Sequence, residues 1–319
     1  MINVLETTKY VVDNSKLVKI SAESINKMVE AVKPKDLETS EFSIVSYKWP
    51  WETALKLFFI FNAINFCYWA KKDEPKWTVE FNDKKLDGAV ALFRCLEEEV
   101  KRNSDILSGD ELADLSAEHL GKILSGNTTI PLFNERLKCL KEMGKVLEKR
   151  FGNNLLNVFN ESKNDAIKLV DLLVTNFSRF NDISKIDGRD VAFYKRAQLN
   201  SKMISDLLAA NGKGTLSNLE KLTAFADYKI PQILRRFGVL EYVLDLGNKV
   251  DNFELIEPNS GEEVEIRSNT IWAVELIKQE LKKKYDFVTS SHVDSMLWSL
   301  SQTKSSNEKP YHRTLTIAY

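Results

Sequence analysis

Ala89-Val90-Ala91-Leu92-Phe93-Arg94-Cys95-Leu96-Glu97-Glu98-Glu99-Val100 sets the fold class. Ala89, Leu92, Phe93, Leu96 and Val100 fall on one stripe with a period near 3.6, and the glutamates and Arg94 lie off it. A stripe of this kind is a helix with one face on a core. The spacing recurs at Phe133, Leu137, Leu140, Leu147 and Phe151, in a segment opened by Pro131 at a first turn. It returns at Ala166, Ile167, Val170, Leu173 and Phe177, and again at Val274, Ile277, Leu281 and Tyr285. The sequence therefore predicts a mainly α, multi-helix globule with at most a small β-hairpin or sheet. Strand-like alternation is confined to Trp77-Thr78-Val79-Glu80-Phe81, followed by the turn pair Asn82-Asp83, and to a second short stretch from Phe42 to Tyr47.

Breakers are few, with 12 Gly and 7 Pro, and there is neither a linker-like tract nor a repeat of fixed period. Residues 1–319 are expected to form one compact unit. A soft boundary between two lobes is placed near Asn181 to Arg189, where Asp187-Gly188 marks a turn between helical stretches.

Charge and cysteine usage narrow the function. Lys plus Arg (45) nearly balance Asp plus Glu (46), so no strong basic field exists to hold duplex DNA or an acidic membrane surface. A small anionic ligand held by two or three local cations is compatible with that balance. Cys67, Cys95 and Cys139 are widely spaced, sit in apolar helical patterns and form no C-x-x-C pair, which reads as reduced core thiols. No metal-ligand spacing stands out. Met1 to Lys9 lacks a basic-then-apolar layout, and no apolar run reaches the ~20 residues of a membrane span, so a cytoplasmic location is expected.

Two stretches carry candidate chemistry. Asp190 is placed to cap a helix whose Phe193, Ala197, Ile204 and Leu208 face the core, with Lys195, Gln198 and Lys202 sharing its polar face. Spacing alone reads that face as solvated. Thirty residues on, Phe225-Ala226-Asp227-Tyr228-Lys229-Ile230-Pro231-Gln232 sets an acid between aromatics before a proline. Pro231 is expected to hold Ile230 extended and to open a new helix, which puts Asp227 in a tight helix-to-helix connection. Spacing alone reads Asp227 as a cap or turn-maker.

Phe193-Tyr194-Lys195-Arg196-Ala197-Gln198 and Phe225 to Gln232 resemble the signature stretches of the queuosine salvage family, hydrolases that free queuine from queuosine 5'-phosphate. Asn62 to Trp69 resembles that family's Leu-Asn-Phe-x-Phe-Trp helix, and Pro131 to Val146 its Pro-Leu-x-x-Glu-Arg segment. Glu263 to Arg267, Trp272 to Leu276 and His312 to Tyr319 also fit, so similar motifs run in order over roughly residues 42 to 319.

The resemblance implies a fold similar to helix-hairpin-helix base glycosylases and a nucleotide N-glycosidase without metal or cofactor. It implies a small nucleotide substrate, with neither stable nucleic-acid binding nor a membrane partner. Asp227 takes the place beside the anomeric carbon, and Lys195 either assists the leaving base or orients Asp227. Phe225 would stack on the base, Asp294 would accept its hydrogen bonds, and Tyr228 and Ser295 would border it. Arg196, Arg267, His312 and Arg313 are the candidates for the phosphate.

The chain departs from the family pattern where the base is read. Tyr47 stands in place of a His, Ser299 in place of an acid, and Ala89 follows Gly88 where an aromatic is common. Tyr47 and Ser299 are kept as candidate base contacts. Two other readings stay open: an N-glycosidase for another (deaza)purine nucleotide or nucleic-acid base, and a non-catalytic helical interaction protein.

Overall fold

The computed structural model describes residues 1–38, 49–303 and 308–319. The strand expected from Phe42 to Tyr47, and Tyr47 itself, lie outside the described residues. In chain order the elements are α1 (Val4–Asp13), β1 (Val18–Ile20), α2 (Ala22–Ala31), α3 (Trp51–Ala63), β2 (Thr78–Phe81), β3 (Lys84–Asp87) and α4 (Gly88–Arg102). Then come α5 (Gly109–Asp114), α6 (Ala117–Ile123), α7 (Phe133–Arg150), α8 (Leu155–Glu161), α9 (Ala166–Asn176), β4 (Ile183–Ile186) and β5 (Arg189–Ala192). The chain closes with α10 (Lys195–Ala210), α11 (Lys229–Arg236), β6 (Leu240–Tyr242), α12 (Leu244–Asp251), α13 (Gly261–Lys282) and α14 (Ser290–Ser301). The fold is mainly α, as the stripes predict, and its sheets are antiparallel pairs of two strands each among the described residues.

The stripes form the core. Leu92, Phe93, Leu96 and Val100 are buried on α4, and Phe93 meets Phe61 edge-on at 5.3 Å and Phe58 at 5.8 Å across the α3–α4 contact. Removing such a ring leaves a cavity and costs about 3–5 kcal/mol. Helix α10 packs between α3 and α9, and α13 contacts α1, α2, α11 and α14. That central place explains why α13 buries Glu263, Glu265 and Arg267 beside its apolar residues. Each of these charges is bonded within the protein; Glu265 Oε2, for example, accepts the backbone N–H groups of Lys16, Leu17 and Val18. No described helix is long and apolar enough to cross a membrane.

The hairpin read from Trp77 to Asp83 is β2–β3, with Asn82 and Asp83 at φ 48° and 59° in its turn. Around Asp187-Gly188 the structure differs from the sequence reading. These residues turn a second hairpin, β4–β5, at φ 50° and 74°. Asp190 lies in β5 opposite Lys185 and caps no helix. Strand pairing takes the backbone groups that a helix would have used, so α10 starts only at Lys195, after Tyr194 in the left-handed region.

Cys95 and Cys139 are buried on α4 and α7, and Cys67 is buried in the loop after α3; all three are free thiols. Burial pushes Cys67 up to about 11 and Cys95 up to about 12, which keeps both protonated and unreactive.

Candidate active site

Between α3, α4, α10, α11 and α14 the described residues leave an opening of about 1000 Å³, mouth included. Lys195, Phe225, Asp227, Tyr228 and Asp294 all line it, so five of the candidates from three segments of sequence converge.

Lys195 is the first residue of α10 and, with Gln198 and Lys202, is buried. The solvated-face reading of these three is therefore overturned: Lys195 lines the cavity, Gln198 lies against the 222–226 stretch and Lys202 pairs with Asp206. Gln198 bonds Thr223 in both directions, its Oε1 accepting from the Thr223 N–H at 2.8 Å and its Nε2 donating to Oγ1 at 2.9 Å. This ties α10 to the strand-like run leading to Asp227.

Asp227 sits just before α11, and its Oδ1 accepts the N–H groups of Lys229 at 2.7 Å and Ile230 at 3.0 Å. It thus satisfies two donors at the start of that helix, as its turn position suggests. Ile230 is helical and not extended, since Pro231 falls in the first turn of α11, where a missing N–H costs nothing. Asp294 on α14 accepts the Phe225 N–H at 2.8 Å through Oδ2, which fixes the aromatic wall against the helix. Tyr228 packs on Tyr311 with ring centres 4.8 Å apart, and burial, with Tyr311 and Asp227 nearby, raises its hydroxyl well above the usual range. It remains a protonated donor at neutral pH.

The end of α3 shows how a helix can be stopped to feed a site. The stretch likened to a family helix, Asn62 to Trp69, leaves helical geometry after Ala63, and Cys67 has φ 44°. Two buried arginines take the carbonyls this exposes. Arg136 Nη2 donates to Cys67 O at 2.9 Å and also bonds Phe66 O, with Nη1 on Ile64 O; Arg196 Nη1 bonds Asn62 O at 3.2 Å and Ala63 O. Phe66 lies against both guanidinium groups, at 4.5 and 5.2 Å. The released segment puts Asn65 and Tyr68 in the cavity wall, with the Tyr68 hydroxyl donating to Asn65 Oδ1 at 2.8 Å.

The four phosphate candidates do not reach the cavity. Arg196 is used up on the end of α3, its second Nη bonding Arg179 O. Arg267 forms a two-pronged bridge to Asp182, His312 bonds Tyr319, and Arg313 lies over Phe253 at 4.5 Å and Trp69 at 5.8 Å. His312 is pushed down to about 3 by burial and then by Arg267 and Arg235, so it carries no charge for an anion. Ser295 is buried in α14 and is not one of the residues lining the cavity, and Ser299 borders a different groove. Spacing could not expose these displacements, because each side chain has the right chemistry and the wrong neighbours.

The cations that do line the cavity beside Lys195 are Lys76 and Lys229. Lys76 Nζ is 2.6 Å from Asp87 at the base of the β2–β3 hairpin. Lys229 Nζ lies 3.2 Å from Gln232 Oε1 and 5.0 Å from the Tyr311 ring centre. Burial lowers its pKa, Asp227 opposes that, and Lys76 lowers it further. Two ammonium groups lining one cavity can hold an anionic group of a ligand. Lys229 stood inside the Asp227 octapeptide and was the more findable of the two; nothing in the sequence pointed to Lys76.

A helical globule with carboxylates and lysines gathered in one aromatic-walled cavity defines an enzyme-like small-molecule site. The model of the family described as Queuosine salvage protein matches residues 45–319, and the chain belongs to that family. Relatives called Queuosine 5'-phosphate N-glycosylase/hydrolase are 33% identical in Sphaerobacter thermophilus, over 100% of this chain and 98% of the relative, and 30% identical in Mus musculus, over 98% of each. A relative of the same name in Schizosaccharomyces pombe is 28% identical over 78% of this chain and 75% of its own.

Proposed function

We propose that this protein hydrolyses the N-glycosidic bond of queuosine 5'-phosphate, with water as co-substrate, to give queuine and ribose 5-phosphate. The observation that carries the reading is the meeting of Lys195, Asp227 and Asp294, from three separate segments, in one cavity. The bond breaks through an oxocarbenium-like transition state, whose positive charge needs a fixed anion at the anomeric carbon. Asp227 suits that role, since both amide bonds go to Oδ1 and leave Oδ2 for the sugar. Queuine is a 7-deazaguanine without ring N7, so its departure needs a donor elsewhere, and Lys195 supplies that hydrogen bond or orients Asp227.

Phe225 gives the base a face to stack on, and Asp294, Asn65 and Tyr68 give its polar edge directional partners. Leaving such an edge unpaired would cost about 1–3 kcal/mol per group. Lys76 and Lys229 take the phosphate in place of the four cations first considered. The substrate is a free mononucleotide met in the cytoplasm and not a base within nucleic acid; the near-zero net charge agrees, and no unstacking cost arises.

The test is to incubate the purified protein with queuosine 5'-phosphate, its nucleoside and the common mononucleotides, and to measure free base by chromatography. Release from the deazaguanine nucleotide with little from the others is expected. If no substrate yields free base, the reading fails.

A further inference from the structure

Lys195 and Asp227 are 32 positions apart in sequence, on separate elements, yet the proposed reaction needs them in fixed register. One buried guanidinium links the two segments, bonding the carbonyl before Asp227 directly and the Lys195 N–H through Asp182. Arg267, 1% exposed on α13, donates through Nη1 and Nη2 to the two oxygens of Asp182 at 2.9 and 2.6 Å. Its Nε donates to Ala226 O at 3.3 Å, the carbonyl of the peptide that leads into Asp227. Asp182 Oδ2 in turn accepts the backbone N–H of Lys195 at 3.3 Å, and Asp182 O accepts that of Phe193 at 3.0 Å.

Tyr194, at the helix cap, offers no side-chain bond, so Asp182 serves the start of α10 from thirteen residues upstream. The guanidinium is closed in by Phe193 at 3.9 Å and Tyr319 at 4.6 Å, which leaves it little room to shift.

From this arrangement we infer that the Arg267–Asp182 pair is a positioning clamp, setting the distance between Lys195 and Asp227 without touching substrate. This rests on the function proposed above. The clamp needs the planar fork of arginine: lysine keeps the charge but cannot hold both Asp182 oxygens and Ala226 O in one plane. Phe225 and the base pocket are anchored separately, through Asp294, so misregister should reach turnover before it reaches binding. Displacing reacting groups by about 1 Å costs on the order of a hundredfold in rate.

The experiment compares Arg267→Lys, Asp182→Asn and the double variant with the unaltered protein, each assayed where circular dichroism shows it folded. Expected are kcat values lowered about a hundredfold, KM within about threefold, and a double variant no worse than the poorer single one. A merely structural ion pair would lower Tm and leave kcat of the folded protein alone. Turnover within twofold of the unaltered protein in either folded variant, or a loss confined to KM, overturns the clamp. Asp182→Asn keeps side-chain volume and an acceptor for Lys195, so the test does not depend on Arg267→Lys folding. Should the unaltered protein release no base, the functional reading itself has failed, which is a different result from active protein with indifferent variants.

Discussion

Helix α14 has two faces, and each borders an opening, the cavity on one side and a groove on the other. Asp294, Trp298 and Gln302, four residues apart each time, face the cavity with Lys195 and Asp227. Met296, Ser299, Leu300 and Thr303 face a groove against α2. The groove's charges, Lys27 and Asp36, are spent locally at the surface, on Glu23 at 2.6 Å and on the Lys33 N–H at 2.9 Å. The cavity gathers acids and lysines from distant segments, and Lys195 and Asp294 among them are buried. An opening beside α14 therefore does not by itself mark a site; convergence of polar groups from distant segments does.

The comparison can be broken first at its strongest point. Asp227→Asn should keep the fold and lower kcat by at least about a thousandfold, since an amide cannot stabilise the developing cation. A folded Asp227→Asn protein with substantial base release would take Asp227 out of the mechanism. Asp294→Asn keeps an acceptor for the Phe225 N–H but loses the negative charge offered to the base. Its kcat/KM should fall about ten- to a hundredfold, as expected for about 1–3 kcal/mol of hydrogen bonding; an unchanged value would detach the cavity face of α14 from base recognition.

Acid sensitivity sharpens the contrast next, because the Tyr319 side of the cavity rests on a titratable network and the groove does not. The Tyr319 hydroxyl donates to Glu263 at 2.7 Å and lies 3.0 Å from His312 Nε2. His312 titrates at about 3 in the fold against 6.5 ordinarily, so between those values the unfolded chain binds the extra proton. Stability is then fully present above pH 6.5 and falls as pH drops through that window, by at most about 1.4 kcal/mol per unit. Urea unfolding of the protein and of His312→Gln at pH 7 and 5 measures it, and the variant should lose less on acidification. Smallest of all, Ser299→Ala should leave kcat/KM within about twofold; a tenfold loss would place the groove in the site after all.

Much of the fold was legible in the sequence because it depends on period. The stripes at Leu92 to Val100 and Val274 to Leu281 needed only 3.6-residue spacing to be assigned, and Asn82-Asp83 carried its turn chemistry in its residue types. The hairpin at Asp187-Gly188 was misread as a break between helices because β4 and β5 are four residues each, too short to outweigh the helical patterns on either side.

The site divided along another line. Lys195, Phe225, Asp227 and Asp294 could be nominated from motif resemblance, and folding brought all four to one cavity. Arg196 and Arg267 could be nominated by charge alone, and charge does not say what a guanidinium will meet. By itself the sequence determined a helical protein and the octapeptide around Asp227, since both are matters of local spacing and residue type. Only the tertiary structure decided that Lys195 is buried and that Lys76 and Lys229 line the cavity with it. It alone sent one arginine to the end of α3 and the other to Asp182. Those outcomes depend on partners far apart in sequence, 134 residues for Arg196 and Asn62 and 85 for Arg267 and Asp182, which no local pattern encodes.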